Sequence, residues 1–348
     1  MSLVFGSIFF TLIVAELIVR DYHAGFQNLI SKEGGNLLEH YFPGLYAYDS
    51  TLGWVPTANT SGEKWEGIKV HTLNDGIRSN GGIKPPDGNL VILAVGDSFT
   101  FGDQVADDQT WPAILEKMTG YKVLNAGVSS YGLDQAILRA EQLIPKYKPD
   151  VLIVSIIYDD IDRCRQNVRH GIPKPYFVVE NNQLVLKNVP VPFKKGTKLD
   201  FFRTVFGHSH LVHKFMNRFF PTYWWQGTDQ DYRYVKNGID EVVTLLFGRL
   251  DNFAKDKIRV IVLLQGDINV SETRYRIFEY ILGQLRPNIH HLEICNTTPS
   301  SLSLKKQNRQ EFFSFFVDRS GHLSLKGNTF VATMLKHKIS GQSTVEVK

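Results

Sequence analysis

Three residue types that together activate an alcohol for attack on a carbonyl stand far apart in this chain. Ser98 lies in Gly96-Asp97-Ser98, directly after the apolar run Val91–Val95. Asp318 and His322 lie close together near the other end, in Asp318-Arg319-Ser320-Gly321-His322. A serine hydroxyl is a weak nucleophile at neutral pH and needs a base to take its proton. A histidine, whose ordinary pKa is about 6.5, suits that task. A carboxylate beside it fixes the imidazole tautomer and stabilises the cation that forms. A Gly-Asp-Ser tripeptide alone fits a plain helix cap equally well, so the motif needs its structural context.

That context is legible in the pattern around Ser98. The run Val91–Val95 is continuously apolar, as in a strand buried on both faces of a parallel sheet. Open α/β sheets place ligands beyond the carboxyl ends of such strands. Residues 107–118 have helical spacing, so Ser98 falls in a strand-to-helix turn. Backbone N–H groups there can face a developing negative charge. From residue 89 onward strands and helices alternate. Strands are expected at 91–95, 121–124, 151–157, 258–264 and, more weakly, 291–294; helices at 133–143, 242–253, 275–285 and 329–335. The implied fold class is α/β: three layers, α/β/α, around a five-stranded, mostly parallel sheet with right-handed crossovers.

Other segments frame this domain. Residues 3–19 are apolar except for Ser7, Thr11 and Glu16, about the length of a minimal membrane span. No small-residue cleavage site follows, so residues 1–22 are expected to be an uncleaved membrane anchor, with a buried helix as the alternative. Glu16 is costly in hydrocarbon unless it lies near the interface or has a partner. Residues 23–88 read as a stalk and a small β-rich cap, closed by the linker Pro85-Pro86-Asp87-Gly88. Residues 89–340 form the main domain, interrupted by an insertion at 165–227. The insertion holds a hairpin signal at Asn181-Asn182 and an aromatic, basic stretch over 201–225. It is expected over the carboxyl edge of the sheet, with core packing favoured for its aromatics.

Composition narrows the class. The chain has 348 residues, 43% of them hydrophobic and 21% charged, which suits one large globular domain with appendages. The net charge of +4 is spread out with no long basic block, which argues against a nucleic-acid partner. Cys164 and Cys295 are too far apart to form a metal-ligand pair, and two buried free thiols are favoured over a disulfide. His208, His210 and His213 have no acidic or cysteine neighbour, so no metal is expected there.

Taken together, the motifs resemble the SGNH/GDSL hydrolase superfamily, over residues 89–337 apart from the insertion. Gly96-Asp97-Ser98 matches the block that carries the nucleophile. Asn125-Ala126-Gly127 matches the second block, whose glycine N–H donates to the oxyanion. Asp318 and His322 match the block of acid and base. The resemblance implies a flavodoxin-like three-layer fold and a Ser98–His322–Asp318 triad. It implies an oxyanion hole from Ser98, Gly127 and Asp159, with Asn125 as a substitute donor, and places Asp97 and Asp160 beside the substrate. Two positions depart from the pattern. Asp159 stands where the family usually has an asparagine donor, and the Asp318–His322 spacing is one residue longer than usual.

Among family members, the N-terminal apolar segment and the cap resemble membrane-anchored bacterial proteins that add or remove acyl groups on surface polysaccharides. That resemblance implies an extracytoplasmic catalytic domain, an acylated carbohydrate or small ester as substrate, and a membrane acyltransferase partner. No cofactor is implied. Three activities follow as expectations: a serine esterase, an O-acetyltransferase sharing its acyl-enzyme, and a non-catalytic glycan-binding or assembly protein on the same scaffold. Asp159 is the best support for the last.

Overall fold

The computed structural model describes residues 6–7, 10–18, 44–64, 67–82, 90–169, 172–192, 209–220, 239–285, 290–317 and 321–341. Two short hairpins come first: β1 (Tyr46–Asp49) with β2 (Gly53–Pro56), and β3 (Ser61–Lys64) with β4 (Ile68–His71). Then come β5 (Val91–Val95), β6 (Lys122–Asn125) and β7 (Val151–Ile156). The insertion contributes β8 (Val168–Arg169) with β9 (Ile172–Pro173), and β10 (Tyr176–Glu180) with β11 (Gln183–Lys187). Finally come β12 (Arg259–Leu264) and β13 (Leu292–Asn296).

The central sheet has the order β13-β12-β7-β5-β6, and every pair in it is parallel. The chain therefore reverses its direction of growth between β5 and β7, and β5 carries Ser98 at its carboxyl end. This is the switch point at which open sheets leave a crevice. Side chains alternate between two cores, as the period of two requires. Leu93, Val95, Leu152, Val154, Val260 and Val262 face the helices Leu133–Tyr147 and Ile239–Lys255. Ile92, Ala94, Ile153, Ile261 and Leu263 face the helices Trp111–Thr119 and Leu325–Ser340. The result is a three-layer α/β/α sandwich. Cys164 and Cys295 are buried free thiols.

Three expectations need correction. Residues 44–82 do not form a separate cap. Leu45, Leu52, Trp54, Val70 and Ile77 share one core with β5, β7 and β12. Trp54 Nε1 donates to Ser129 O at 3.1 Å and Gln135 Nε2 to Leu52 O at 2.8 Å, so this segment is sewn onto the loop and helix after β6. The β10–β11 hairpin, whose tip is Asn181-Asn182 with φ of 52° and 60°, does not cover the carboxyl edge. Its buried Phe177 joins the core on the side of the helices Leu133–Tyr147 and Ile239–Lys255, with Arg249 over its ring at 5.3 Å. The aromatic stretch is described only over 209–220. There Phe215, Phe219 and Phe220 cluster on one another and are exposed rather than packed in the core.

The linker Pro85–Gly88, the stalk over 23–43 and His208 lie outside the described residues. Of residues 1–22, the structure describes 6–7 and 10–18 as helix. Among the described residues no helix is long and apolar enough to cross a membrane. Also among the described residues, no group of three metal-ligating side chains is present.

Candidate active site

The turn after β5 is built by close approach. A Cβ on Gly96 would lie 2.4 Å from Thr100 Oγ1 and 2.6 Å from Ser155 O, so only glycine lets the chain leave the strand here. Asp97 then caps a one-turn helix, Ser98–Phe101, its Oδ1 accepting from Phe99 N at 2.9 Å. Gly102, at φ 84°, ends that helix in the left-handed conformation that favours glycine. Its N–H returns to Ser98 O at 2.8 Å, and Asp103 N reaches the same oxygen at 3.2 Å. Ser98 is thus held at the head of a tight loop and is only 6% exposed.

His322 meets it from the other end of the chain. The bridge between Phe316 and Leu323, with Val317 N donating to His322 O at 2.8 Å, presents the imidazole to the turn. His322 Nε2 lies 2.9 Å from Ser98 Oγ. His322 Nδ1 lies 3.0 Å from Gln104 Oε1. An amide oxygen can only accept, so the ring carries its proton on Nδ1 and Nε2 accepts the serine hydroxyl. That is the tautomer a general base requires. The Phe99 ring, 5.6 Å from the imidazole, lies beside it. Asp318 lies outside the described residues.

The other carboxylates expected at the site have different partners. Asp97 and Asp160 were expected to face substrate. Instead both are buried and converge on one arginine: Arg163 Nη1 lies 3.1 Å from Asp97 Oδ2 and 2.5 Å from Asp160 Oδ1. The same nitrogen donates to Tyr131 O at 2.9 Å. Asp160 Oδ2 also accepts from Ile157 N at 2.9 Å, capping the helix Tyr158–Arg163. Burial, followed by the Asp97 charge, pushes the Asp160 carboxyl well above the ordinary range against the pull of Arg163. Asp159 points elsewhere. It is 43% exposed and pairs with Arg274 Nη1 at 3.3 Å.

The groups expected as oxyanion donors differ in their partners. Ser98 N–H, at the first position of its helix, has no acceptor among the described residues, as the start of a helix dictates. Gly127 lies against the same helix; a Cβ there would sit 2.4 Å from Phe101 N. Its N–H faces Asn125 Oδ1 at 3.2 Å. Asn125 Nδ2 is turned to Phe101 O at 3.5 Å, so this fully buried side chain braces the helix rather than aiming a donor at a ligand.

Four residues at the site were not singled out from the sequence: Asp103, Gln104, Arg78 and Arg163. Asp103 and Gln104 directly follow the glycine that closes the serine turn, and that adjacency was the available signal. Arg78 comes from the segment after β4 and is 1% exposed. It binds Asp107 Oδ1 at 3.1 Å, Phe101 O at 2.6 Å, Val105 O at 2.7 Å and also Gly102 O. No local pattern announces such a reach.

No family model matches the chain, and no curated protein matches it. Solved structures do resemble it. One is a putative lipolytic protein of the G-D-S-L family from Desulfitobacterium hafniense, 15% identical, covering 72% of this chain and 99% of that one with a TM-score of 0.39. A second is the acetyl xylan esterase AlAXEase, 15% identical, covering 72% of this chain and 100% of that one with a TM-score of 0.41. A third is a catalytic mutant of Axe2, an acetylxylan esterase from Geobacillus stearothermophilus, 12% identical, covering 76% and 99% with a TM-score of 0.41. The chain is thus similar to GDSL-type proteins and acetylxylan esterases. Likeness at this level transfers no activity.

Proposed function

We propose that the chain is a serine esterase that removes O-acyl groups, acetyl foremost, from a carbohydrate or small ester. The contact between Ser98 Oγ and His322 Nε2 at 2.9 Å, with Nδ1 held by Gln104, carries this reading. His322 takes the Ser98 proton as Oγ attacks the acyl carbonyl. The oxyanion forms opposite the head of the helix Ser98–Phe101, where Ser98 N–H stands ready. His322 then gives its proton to the departing alcohol oxygen, leaving an acyl ester on Ser98. Water repeats the sequence: His322 accepts its proton, its oxygen adds to the acyl carbon, and Ser98 leaves with the proton returned. A sugar hydroxyl in place of that water turns the same acyl-enzyme into an O-acetyltransferase. Asp318, the acid that the family resemblance implies, would add negative charge to the contact that Gln104 makes at His322.

We place the catalytic domain outside the cytoplasm, anchored by the N-terminal apolar helix. Glu16, the awkward residue of that segment, accepts from Ser209 Oγ at 2.7 Å and from Leu211 N at 2.9 Å, so its carboxylate has protein partners. A membrane acyltransferase partner would fit such a position.

The reading is tested by treating the purified protein with a fluorophosphonate and an aryl acetate. An adduct on Ser98 and ester turnover are expected. Ser98→Ala and His322→Ala should each lower turnover by about 10⁴–10⁶-fold. A folded protein that neither labels nor turns over ester would move the assignment to the non-catalytic scaffold.

A further inference from the structure

The loop that closes the nucleophile's turn places a second group on the catalytic histidine. Asp103 is 3% exposed, and its Oδ2 lies 4.0 Å from His322 Nε2, the nitrogen that exchanges the proton with Ser98. Its Oδ1 accepts the hydroxyl of Ser129. Ser129 Oγ in turn accepts from Tyr46 OH at 2.7 Å. Tyr46 is in β1, Ser129 is in the loop after β6, and Asp103 N is fastened to Ser98 O at 3.2 Å. Three separate segments therefore fix one carboxylate beside the base. Among the described residues Arg78 also feels the Asp103 charge, and burial with that charge raises the Tyr46 phenol well above its ordinary range.

We propose that Asp103 is a positioning carboxylate for His322, facing the imidazolium from the Nε2 side, and that Ser129 and Tyr46 hold it in place. This rests on the Ser98–His322 reading above. A buried carboxylate is costly unless a positive charge answers it. Before the reaction the Ser129 hydroxyl and the charge of Arg78 act on Asp103; proton uptake by His322 adds a further positive charge. When Ser98 or water gives up its proton, the cation appears 4.0 Å from Oδ2. The attraction is therefore greater in the transition state than in the ground state, which is the condition for accelerating chemistry rather than tightening binding. Gln104 at Nδ1 is neutral, so it sets the tautomer without supplying charge.

The test is the pH dependence of kcat/KM for aryl acetate hydrolysis by the full chain, wild type against Asp103→Asn. The amide keeps the shape and an acceptor for Ser129 but loses the charge. The acidic limb, which reports the free base, is expected to move down by about one pH unit, since an opposite charge at this range shifts a partner by at least that much. The plateau of kcat should fall about tenfold, the equivalent of one such unit, with KM little changed. Ser129→Ala and Tyr46→Phe should move the limb the same way by less, and they serve as the test should Asp103→Asn fail to fold. A lowered rate with an unmoved limb would reduce Asp103 to a structural role and overturn the proposal, as would no change. Wild-type protein that does not label on Ser98 would instead overturn the esterase reading beneath it.

Discussion

Two buried arginines grip opposite ends of the helix that carries Ser98, and they do different work. At its amino end Arg163 sits between Asp97 and Asp160, one cation for two carboxylates. At its carboxyl end Arg78 has one carboxylate, Asp107, and spreads its other donors over the carbonyls of Phe101, Gly102 and Val105. The first arginine balances charge. The second fixes backbone, in the loop whose next residues, Asp103 and Gln104, lie against His322. A single turn of helix is too short to hold Ser98 by its own hydrogen bonds. The molecule solves that with electrostatics on one side and a carbonyl clamp on the other.

The comparison predicts unequal failures. Arg163→Met removes the cation shared by the buried Asp97 and Asp160 side chains and is expected to cost about 3–5 kcal/mol of stability, measured by urea unfolding. A loss under about 1 kcal/mol would mean that the carboxylates have other compensation. Arg78→Lys keeps a charge for Asp107 but loses the planar fork. Its stability loss should be smaller, about 1–3 kcal/mol, yet its kcat should drop by up to about a hundredfold as the Asp103–Gln104 loop loses register. Equal effects of the two substitutions on stability and on turnover would erase the distinction.

The charge side also predicts a pH signature. The Asp160 carboxyl is raised by burial and by Asp97, against Arg163. The folded state therefore favours the protonated form more than the unfolded state does. The stability this contributes is full below the unfolded carboxylate value, about 4, and is lost as pH rises through the raised folded value. Melting of Asp160→Asn should vary less than wild type as pH rises above the unfolded carboxylate value of about 4. A variant as pH-sensitive as wild type would place the titration elsewhere.

The smallest effect is expected at Asp159, outside both clamps. It is 43% exposed in a pair with Arg274, and such surface pairs contribute about 0–1 kcal/mol. Asp159→Asn should leave melting within about a degree of wild type and turnover within about twofold, by the same weak coupling. A large rise in kcat would mean that the amide reaches the oxyanion, restoring the donor usual in the family.

What the sequence determined by itself was local in origin. Continuous apolar runs specified the buried parallel strands, and 151–157 and 258–264 fell within a residue of β7 and β12. Glycines at 96 and 102 marked the serine turn because backbone geometry there excludes a side chain. Ser98 and His322 were legible because their chemistry ties residue type to motif, and the fold brings them to 2.9 Å. Only the tertiary structure decided which acid answers which cation. Asp97, Asp160 and Asp103 look alike in a string of letters, yet two of them face Arg163 and the third faces His322. Only the tertiary structure, too, made residues 44–82 part of the main core and brought Arg78 under the loop after Ser98. The physical reason is one of range. Hydrophobic period and turn strain act over a few neighbouring residues, whereas a buried charge takes the partner that chain closure across tens or hundreds of residues brings within about 3 Å.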